Sequence, residues 1–440
     1  MVERDGWYYL FYSGLGCCDG AQGAYQVFAG RSRSPMGPFL DREGVDLNAL
    51  HPGGTLVLST NGNRWVSIGH SANFTDASGQ TWMINNGLDR TTPEWGGRPT
   101  MMDRLDWIDG WPTVREGHWQ SDEVVPAPKL PQVGSTGDTA SPQGFVKDGS
   151  GTWTRRTEKQ AGGYYASQSQ SPNPLFLLTQ DAVAADIRAE ADVRLVGAAA
   201  PGREGRAGLT LAYRDRNNHV TAWLDAAARA LVVETTRNGR VTAREHADLY
   251  AGFDFASWKR ISAEVRDGEA TVSVSDADLG NPLGTVTLDV PDGLPARAGV
   301  ASTRGAGEVD NLSVAKLYTP HTDAKPAPKP GELLADHSDE FASATLDDAW
   351  SWYQNPDGRL ENGSYVWPTQ NADFRGVPTM ASAMLRDAPQ GDYIVETKLH
   401  LPTTAGPNNS AQAGLIAFAD PEHLLRLSPV RTGNSRQVLL

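Results

Sequence analysis

Residues 6–20 read GWYYLFYSGLGCCDG, an aromatic strand, a glycine turn and two adjacent cysteines. The run YYLFYS at 8–13 is rich in large rings and is followed by glycine, which is the chemistry of a β-strand ending in a turn. Similar runs recur along the chain as TLVLS (55–59), TWMIN (81–85), RISAEV (260–265) and ATVSVS (270–275). Helical periodicity is scarce. With 46 Gly and 28 Pro punctuating 440 residues, the pattern predicts an all-β protein of about three domains.

The formal net charge of −14 argues against nucleic acid and against an anionic membrane as partners, since both require a basic face. A neutral partner fits better. Thirteen Trp and twelve Tyr among many Asp, Asn and Arg form the mixture with which carbohydrate surfaces are read, although rings of this kind also fill cores. No apolar run reaches the roughly 18 residues of a membrane span. Met1–Asp5 leads directly into the first strand, with no basic leader or cleavable apolar stretch. Cys17 and Cys18 are neighbours, which leaves open a strained vicinal disulfide or two packed thiols. With no His nearby in sequence, packing is the better reading than a catalytic thiol.

Two Pro-rich stretches divide the chain. VVPAPKLPQVG at 124–134 closes an N-terminal zone that holds seven of the Trp, and TPHTDAKPAPKPGEL at 319–333 is a semi-rigid spacer. The zones on either side of the second spacer resemble each other. IRAEADVRL (187–195) and RAGLTLAY (206–213) recur as YIVETKLHL (393–401) and QAGLIAFA (412–419), offset by 206 residues. Short alternating strands over a unit of this length predict a two-sheet jelly-roll sandwich. The domains are therefore expected at 1–128, 135–318 and 334–440, with a linker at 319–333. Only 25 residues follow Leu415, so the last sandwich is expected to be truncated.

The N-terminal zone resembles glycoside hydrolase family 43, in its arabinanase and arabinofuranosidase branch. The matching blocks are DGWYYLFYSGLGCCDG, YQVFAGRSRSPMGPFLDREG (25–44), GGTLVLST (53–60), GHSANFTDASGQTWMINNG (69–87) and RPTMMDRLDWIDGWPTV (98–114). The last zone, with DEFASATLDDAWSWYQNPDGRLENGSYVW and LRDAPQGDYIVETKL, is similar to the concanavalin A-like domains that follow such enzymes. The middle zone is similar only to that broad class.

The resemblance implies part of a five-bladed β-propeller followed by two concanavalin A-like sandwiches, and an inverting hydrolase acting on arabinan or arabinofuranosides. A general base and a general acid would stand about 6.5–9.5 Å apart. In the family both Asp lie in earlier blades, and the acid lies in a Glu-Ala-Pro motif just before the strand matching YYLFYS. The chain begins after that point, so it is expected to be a C-terminal fragment without catalytic residues. Glu3 is the nearest carboxylate to that motif, but Arg4-Asp5 follow it where the family has Ala-Pro. Asp103, Asp106 and Asp109, spaced by three, suit structural hydrogen bonding better than a converging pair. His70 matches the family's channel histidine, which implies a role beside a calcium or other metal ion, and a hydrogen-bonded core histidine is the alternative. Asn86-Gly87-Leu88 stands where the family has His-Ala-Tyr. The partner implied is a polysaccharide or oligosaccharide, and the location implied is extracellular. The runner-up is a non-catalytic carbohydrate-binding protein. Exposed blade edges are expected to leave 135–320 as the protease-resistant core, with both flanks digested.

Overall fold

The structure, a computed structural model, describes all residues except 16–22, 24, 50–51, 93–96, 160–161, 197–204, 278–279, 292–296, 375–380, 402–409, 422, 433–434 and 440. Cys17 and Cys18 lie outside the described residues. The protein is all-β, and among the described residues its helical elements are two 3-10 turns, Arg115–Gly117 and Ala335–His337. It forms two compact units, residues 1–37 with 55–324 and residues 38–54 with 325–440.

The first unit opens with two four-stranded antiparallel meanders. One is β1 (Val2–Arg4), β2 (Trp7–Gly14), β3 (Gln26–Ser32) and β4 (Thr55–Leu58), and the other is β5 (Trp65–Thr75), β6 (Thr81–Asp89), β7 (Thr100–Ile108) and β8 (Trp111–Val114). They share one core, to which the first contributes Val27, Ala29, Val57 and Leu58 and the second Ile68, Met83, Met101, Leu105 and Val114. Burial of these alternating apolar positions is what fixes the register of each strand. The rings of this zone add a polar seam. The Arg31 guanidinium lies 4.3 Å from the Trp7 ring and 4.5 Å from the Trp111 ring. Tyr9 and Arg31 both donate to the Gly110 carbonyl, at 2.6 and 3.0 Å. Trp7 and Trp111 thus share one guanidinium across the two meanders.

The same unit continues as two larger antiparallel sheets. The eight-stranded sheet runs β11 (Thr152–Glu158), β12 (Gly162–Gln168), β23 (Gly307–Lys316), β14 (Ile187–Leu195), β19 (Lys259–Arg266), β20 (Glu269–Asp276) and β21 (Pro282–Asp289), with β9 (Val133–Ser135) added on β23. The seven-stranded sheet runs β10 (Phe145–Asp148), β13 (Leu175–Thr179), β22 (Arg297–Ser302), β15 (Arg206–Asp215), β16 (Asn218–Asp225), β17 (Ala230–Arg237) and β18 (Arg240–Asp248). Alternate residues of both, such as Ile187, Ala189, Ala191 and Val193 against Leu209, Ala222 and Val300, form a single core.

The meanders and the facing sheets belong to one compact unit. At their junction the buried Asp76 carboxylate accepts the Lys129 N–H at 2.8 Å and the Ser78 carbonyl accepts the Tyr318 N–H at 3.0 Å.

In the second unit, residues 38–49 and 52–54 lie around Asp41, whose carboxylate accepts the N–H groups of Glu43, Val45 and Gly54 at 2.8–2.9 Å. Its strands are short: β24 (Ser351–Tyr353) pairs with β27 (Ala383–Leu385), and β25 (Arg359–Leu360) with β26 (Tyr365–Val366). A further sheet joins β28 (Ser410–Gln412), β29 (Leu415–Asp420), β30 (His423–Thr432) and β31 (Ser435–Leu439). The internal repeat survives here as a hairpin, with β29–β30 matching β15–β16. The shared glycine has a physical reason: a Cβ on Gly208 would meet the Ala222 carbonyl oxygen at 1.9 Å, and one on Gly414 would meet that of Leu427 at 2.0 Å. The other half of the repeat diverges. Residues 187–195 form β14, hydrogen-bonded on both sides by β19 and β23, whereas 393–400 form no strand and are exposed. A strand with this pattern needs paired neighbours and a facing sheet, and among the described residues none pairs with 393–400.

Candidate functional site

The most distorted strand of the meanders is β5. Its register against β6 shifts twice, between Val66 and Gly69 and between Gly69 and Ala72. Two non-glycine residues in it have left-handed backbones, Ser67 at φ 53° and His70 at φ 57°. Strain of this kind, held in place by the surrounding structure, marks candidate sites. Close approach dictates Gly69, since a Cβ there would lie 2.4 Å from the Tyr25 ring.

The bulge is held from several directions. The His70 N–H donates to Ser13 Oγ at 3.0 Å, which leaves the imidazole exposed. Arg98 donates to the Ser67 carbonyl at 3.1 Å, to Ser67 Oγ at 3.2 Å and to Asn86 Oδ1 at 3.3 Å, and its guanidinium lies 5.7 Å from the Tyr25 ring. The result is a surface of tyrosine, imidazole, amide and guanidinium groups. Such groups can stack on an apolar ring face and exchange hydrogen bonds with hydroxyls. Tyr25 and Arg98 were not singled out by sequence reasoning, and the signal that could have found them is the glycine of GHSAN, which requires a partner packed against its backbone.

His70 is therefore an exposed side chain on a bulged strand and not a buried core histidine. A metal fits poorly on this chain alone: among the described residues no three His, Cys, Asp or Glu gather as a ligand set, and His70 brings one imidazole. Asn86, which stands where the resemblance leads one to expect His, pairs in register with Gly69 and is held by Arg98.

Each carboxylate carried on the meander strands accepts at least one hydrogen bond. Glu3 accepts the Gly6 N–H at 2.9 Å and caps a turn. Asp89 bonds Thr91 and Arg64, which hold its carboxyl below the usual range. Asp103 Oδ2 accepts from Gln120 Nε2 and the Ser121 N–H, both at 2.8 Å, and burial pushes this carboxyl up. Asp106, also pushed up by burial, accepts from Arg104 at 3.1 Å and from the Glu116 N–H at 2.8 Å. Asp109 is exposed in the β7–β8 turn at φ 53°.

Antiparallel meanders with a strained, ring-lined strand define a β-sheet scaffold that presents a polar and aromatic surface. Residues 1–112 match the profile of glycosyl hydrolases family 43. It is 31% identical over 117 residues to an extracellular exo-α-(1→5)-L-arabinofuranosidase of Cellvibrio japonicus, covering 26% of this chain and 32% of the relative. It is 32% identical over 114 residues to an extracellular endo-α-(1→5)-L-arabinanase of Bacillus subtilis, with 26% and 32% coverage. Among solved structures, an α-L-arabinanase of Cellvibrio cellulosa complexed with arabinohexaose is 28% identical with a TM-score of 0.24, over 28% of this chain and 38% of that one. The chain thus spans about a third of the length of the curated relatives it matches.

Proposed function

We propose that the chain is part of an extracellular glycoside hydrolase acting on arabinan or other arabinofuranoside-containing polysaccharides with inversion. In this reading β1–β8 are two blades of a five-bladed propeller within a domain at 1–128. The facing sheets at 135–318 and the strands at 334–440 are concanavalin A-like jelly-roll domains, the last of them partial, joined by the linker 319–333.

The observation that carries the reading is the match of residues 1–112 to the family, with 31–32% identity to two extracellular arabinan-cleaving enzymes. The bulged strand supports it physically, because His70, Tyr25, Asn86 and Arg98 supply a surface suited to a furanose. A calcium or other cation beside His70 would take one imidazole from the described residues. Glu3, Asp89 and Asp106 are held by hydrogen bonds and Asp103 by two through Oδ2 alone, which supports a 440-residue chain that binds arabinan without cleaving it. That engagement also favours the second reading, a non-catalytic carbohydrate binder.

The test is a pair of measurements on the whole chain: affinity for linear and branched arabinan beside xylan, and arabinose released from the same polymers. Arabinan binding without release is expected. Rapid release would overturn the assignment of the strand carboxylates, and binding of xylan in place of arabinan would overturn the choice of glycan.

A further inference from the structure

Away from the bulged strand, a crevice of about 420 Å³ opens where β6, β7 and residues 125–132 meet the end of β23. This falls within the roughly 300–1,000 Å³ of small-ligand sites. Its inner wall is rigid. Trp82, 6% exposed, donates from Nε1 to Asp76 Oδ2 at 2.8 Å, and Asp76 also accepts the N–H groups of Ser78 and Lys129. Burial alone would raise the Asp76 carboxyl, but these bonds outweigh it and hold the group below its usual range. Val125, Pro126, Ala127 and Leu130 form an apolar side.

The two arginines in the wall differ. Arg104 is locked by Asp106 at 3.1 Å and Glu116 at 2.8 Å. Arg115, only 18% exposed, has Nε 3.7 Å from Asp103 Oδ1, Nη1 3.4 Å from the Trp119 carbonyl and Nη2 3.4 Å from Glu123 Oε1. All three contacts are long for charge-assisted bonds, which are strongest near 2.7–2.9 Å. Asp103 Oδ1 beside it is buried with no hydrogen-bond donor, its other oxygen being used by Gln120 and Ser121. A half-buried guanidinium with only long contacts, beside a buried carboxylate oxygen with no donor, suits a ligand that accepts from one and donates to the other. Because the two charges offset each other, the fitting ligand is neutral and rich in hydroxyls, with a C–H face for the apolar side.

We propose that this crevice is a second carbohydrate-binding site, in which Arg115 and Asp103 take hydroxyls of a short arabinose-containing oligosaccharide and Val125, Pro126 and Leu130 cover its apolar face. The choice of arabinose rests on the function proposed above.

The test uses the 440-residue chain and calorimetric titration with linear arabino- and xylo-oligosaccharides. Ala127→Trp fills the crevice from an exposed position and is expected to weaken arabino-oligosaccharide binding roughly tenfold or more, and Arg115→Ala to weaken it similarly. Folding of both variants is checked by thermal melting, and His70→Ala serves as the variant of the other surface. Binding unchanged in Ala127→Trp, or no oligosaccharide binding by the parent chain at millimolar concentration, overturns the crevice site. Binding lost in His70→Ala but kept in Ala127→Trp also overturns it, while leaving the arabinan reading intact. Crevice-dependent binding of xylo-oligosaccharides alone supports a sugar site there and overturns arabinose.

Discussion

Lowering the pH from 7 to 4 acts on two buried groups of the facing sheets in opposite directions. His219 on β16 is 6% exposed, beside Phe176 and Tyr213, and burial lowers its pKa from 6.5 to about 4. Asp215 opposes that shift and Arg206 adds to it. Asp310 on β23 is 5% exposed, and burial raises its pKa from 3.8 to about 6, against the bond from the Asn311 N–H and with help from Asp192, Asp138 and Glu158. For His219 the unfolded chain binds the extra proton, so stability is lost as pH falls from 6.5 towards 4. For Asp310 the folded chain binds it, so stability is lost as pH rises from 3.8 towards 6. At about 1.36 kcal/mol per pH unit, each shift is worth about 3 kcal/mol over its window. In the parent chain the two slopes nearly cancel between pH 4 and 6. Single variants uncover them: His219→Gln leaves a stability that falls by about 3 kcal/mol as pH rises, and Asp310→Asn one that falls by a similar amount as pH drops. Urea unfolding at fixed ionic strength, followed by tryptophan fluorescence, measures both as differences from the parent, so other titrations drop out. A parent-minus-His219→Gln difference that stays flat from pH 4 to 6.5 refutes the reasoning, and so does a flat Asp310→Asn difference.

Two further outcomes follow from packing. Gly208→Ala places a Cβ 1.9 Å from the Ala222 carbonyl and is expected to cost about 3 kcal/mol or more, whereas Gly331→Ala, with nothing within 4 Å, stays within about 0.5 kcal/mol; denaturant midpoints decide, and equal midpoints refute the crowding argument. Limited proteolysis is expected to cut first in the exposed, strandless stretch 325–333 and to leave a fragment carrying residue 1 through about residue 324, read by mass spectrometry; a resistant core lacking residues 1–114 would show that the facing sheets stand without the meanders and do not protect them.

The all-β character was legible because period-two alternation is written locally, as in Ile187, Ala189, Ala191 and Val193 along β14. The repeat was legible for the same reason, but only its hairpin half keeps its meaning, because Gly208 and Gly414 serve a contact within the hairpin. A strand such as β14 depends on neighbours over 60 residues away in sequence, through Asp192 to Arg260 and Asp192 to Asp310, and 393–400 reproduces its pattern without those partners. The candidate sites divide along the same line. His70 was visible because it sits in a contiguous block, whereas the strain around it depends on Ser13, Tyr25 and Arg98, which three separate segments bring together. Of the Asp103, Asp106 and Asp109 series, Asp103 and Asp106 each accept a backbone N–H, from Ser121 and Glu116. Yet nothing in DRLDWID announces that Arg115 will stand loosely held beside Asp103, with Tyr318 and His321, some 200 residues on in the chain, in the same crevice wall. Local pattern determines which residues can face a site, and long-range pairing determines which of them keep unused hydrogen-bonding capacity once they arrive. The proposed crevice site depends on the second of these, which is why it can be argued only from the folded chain.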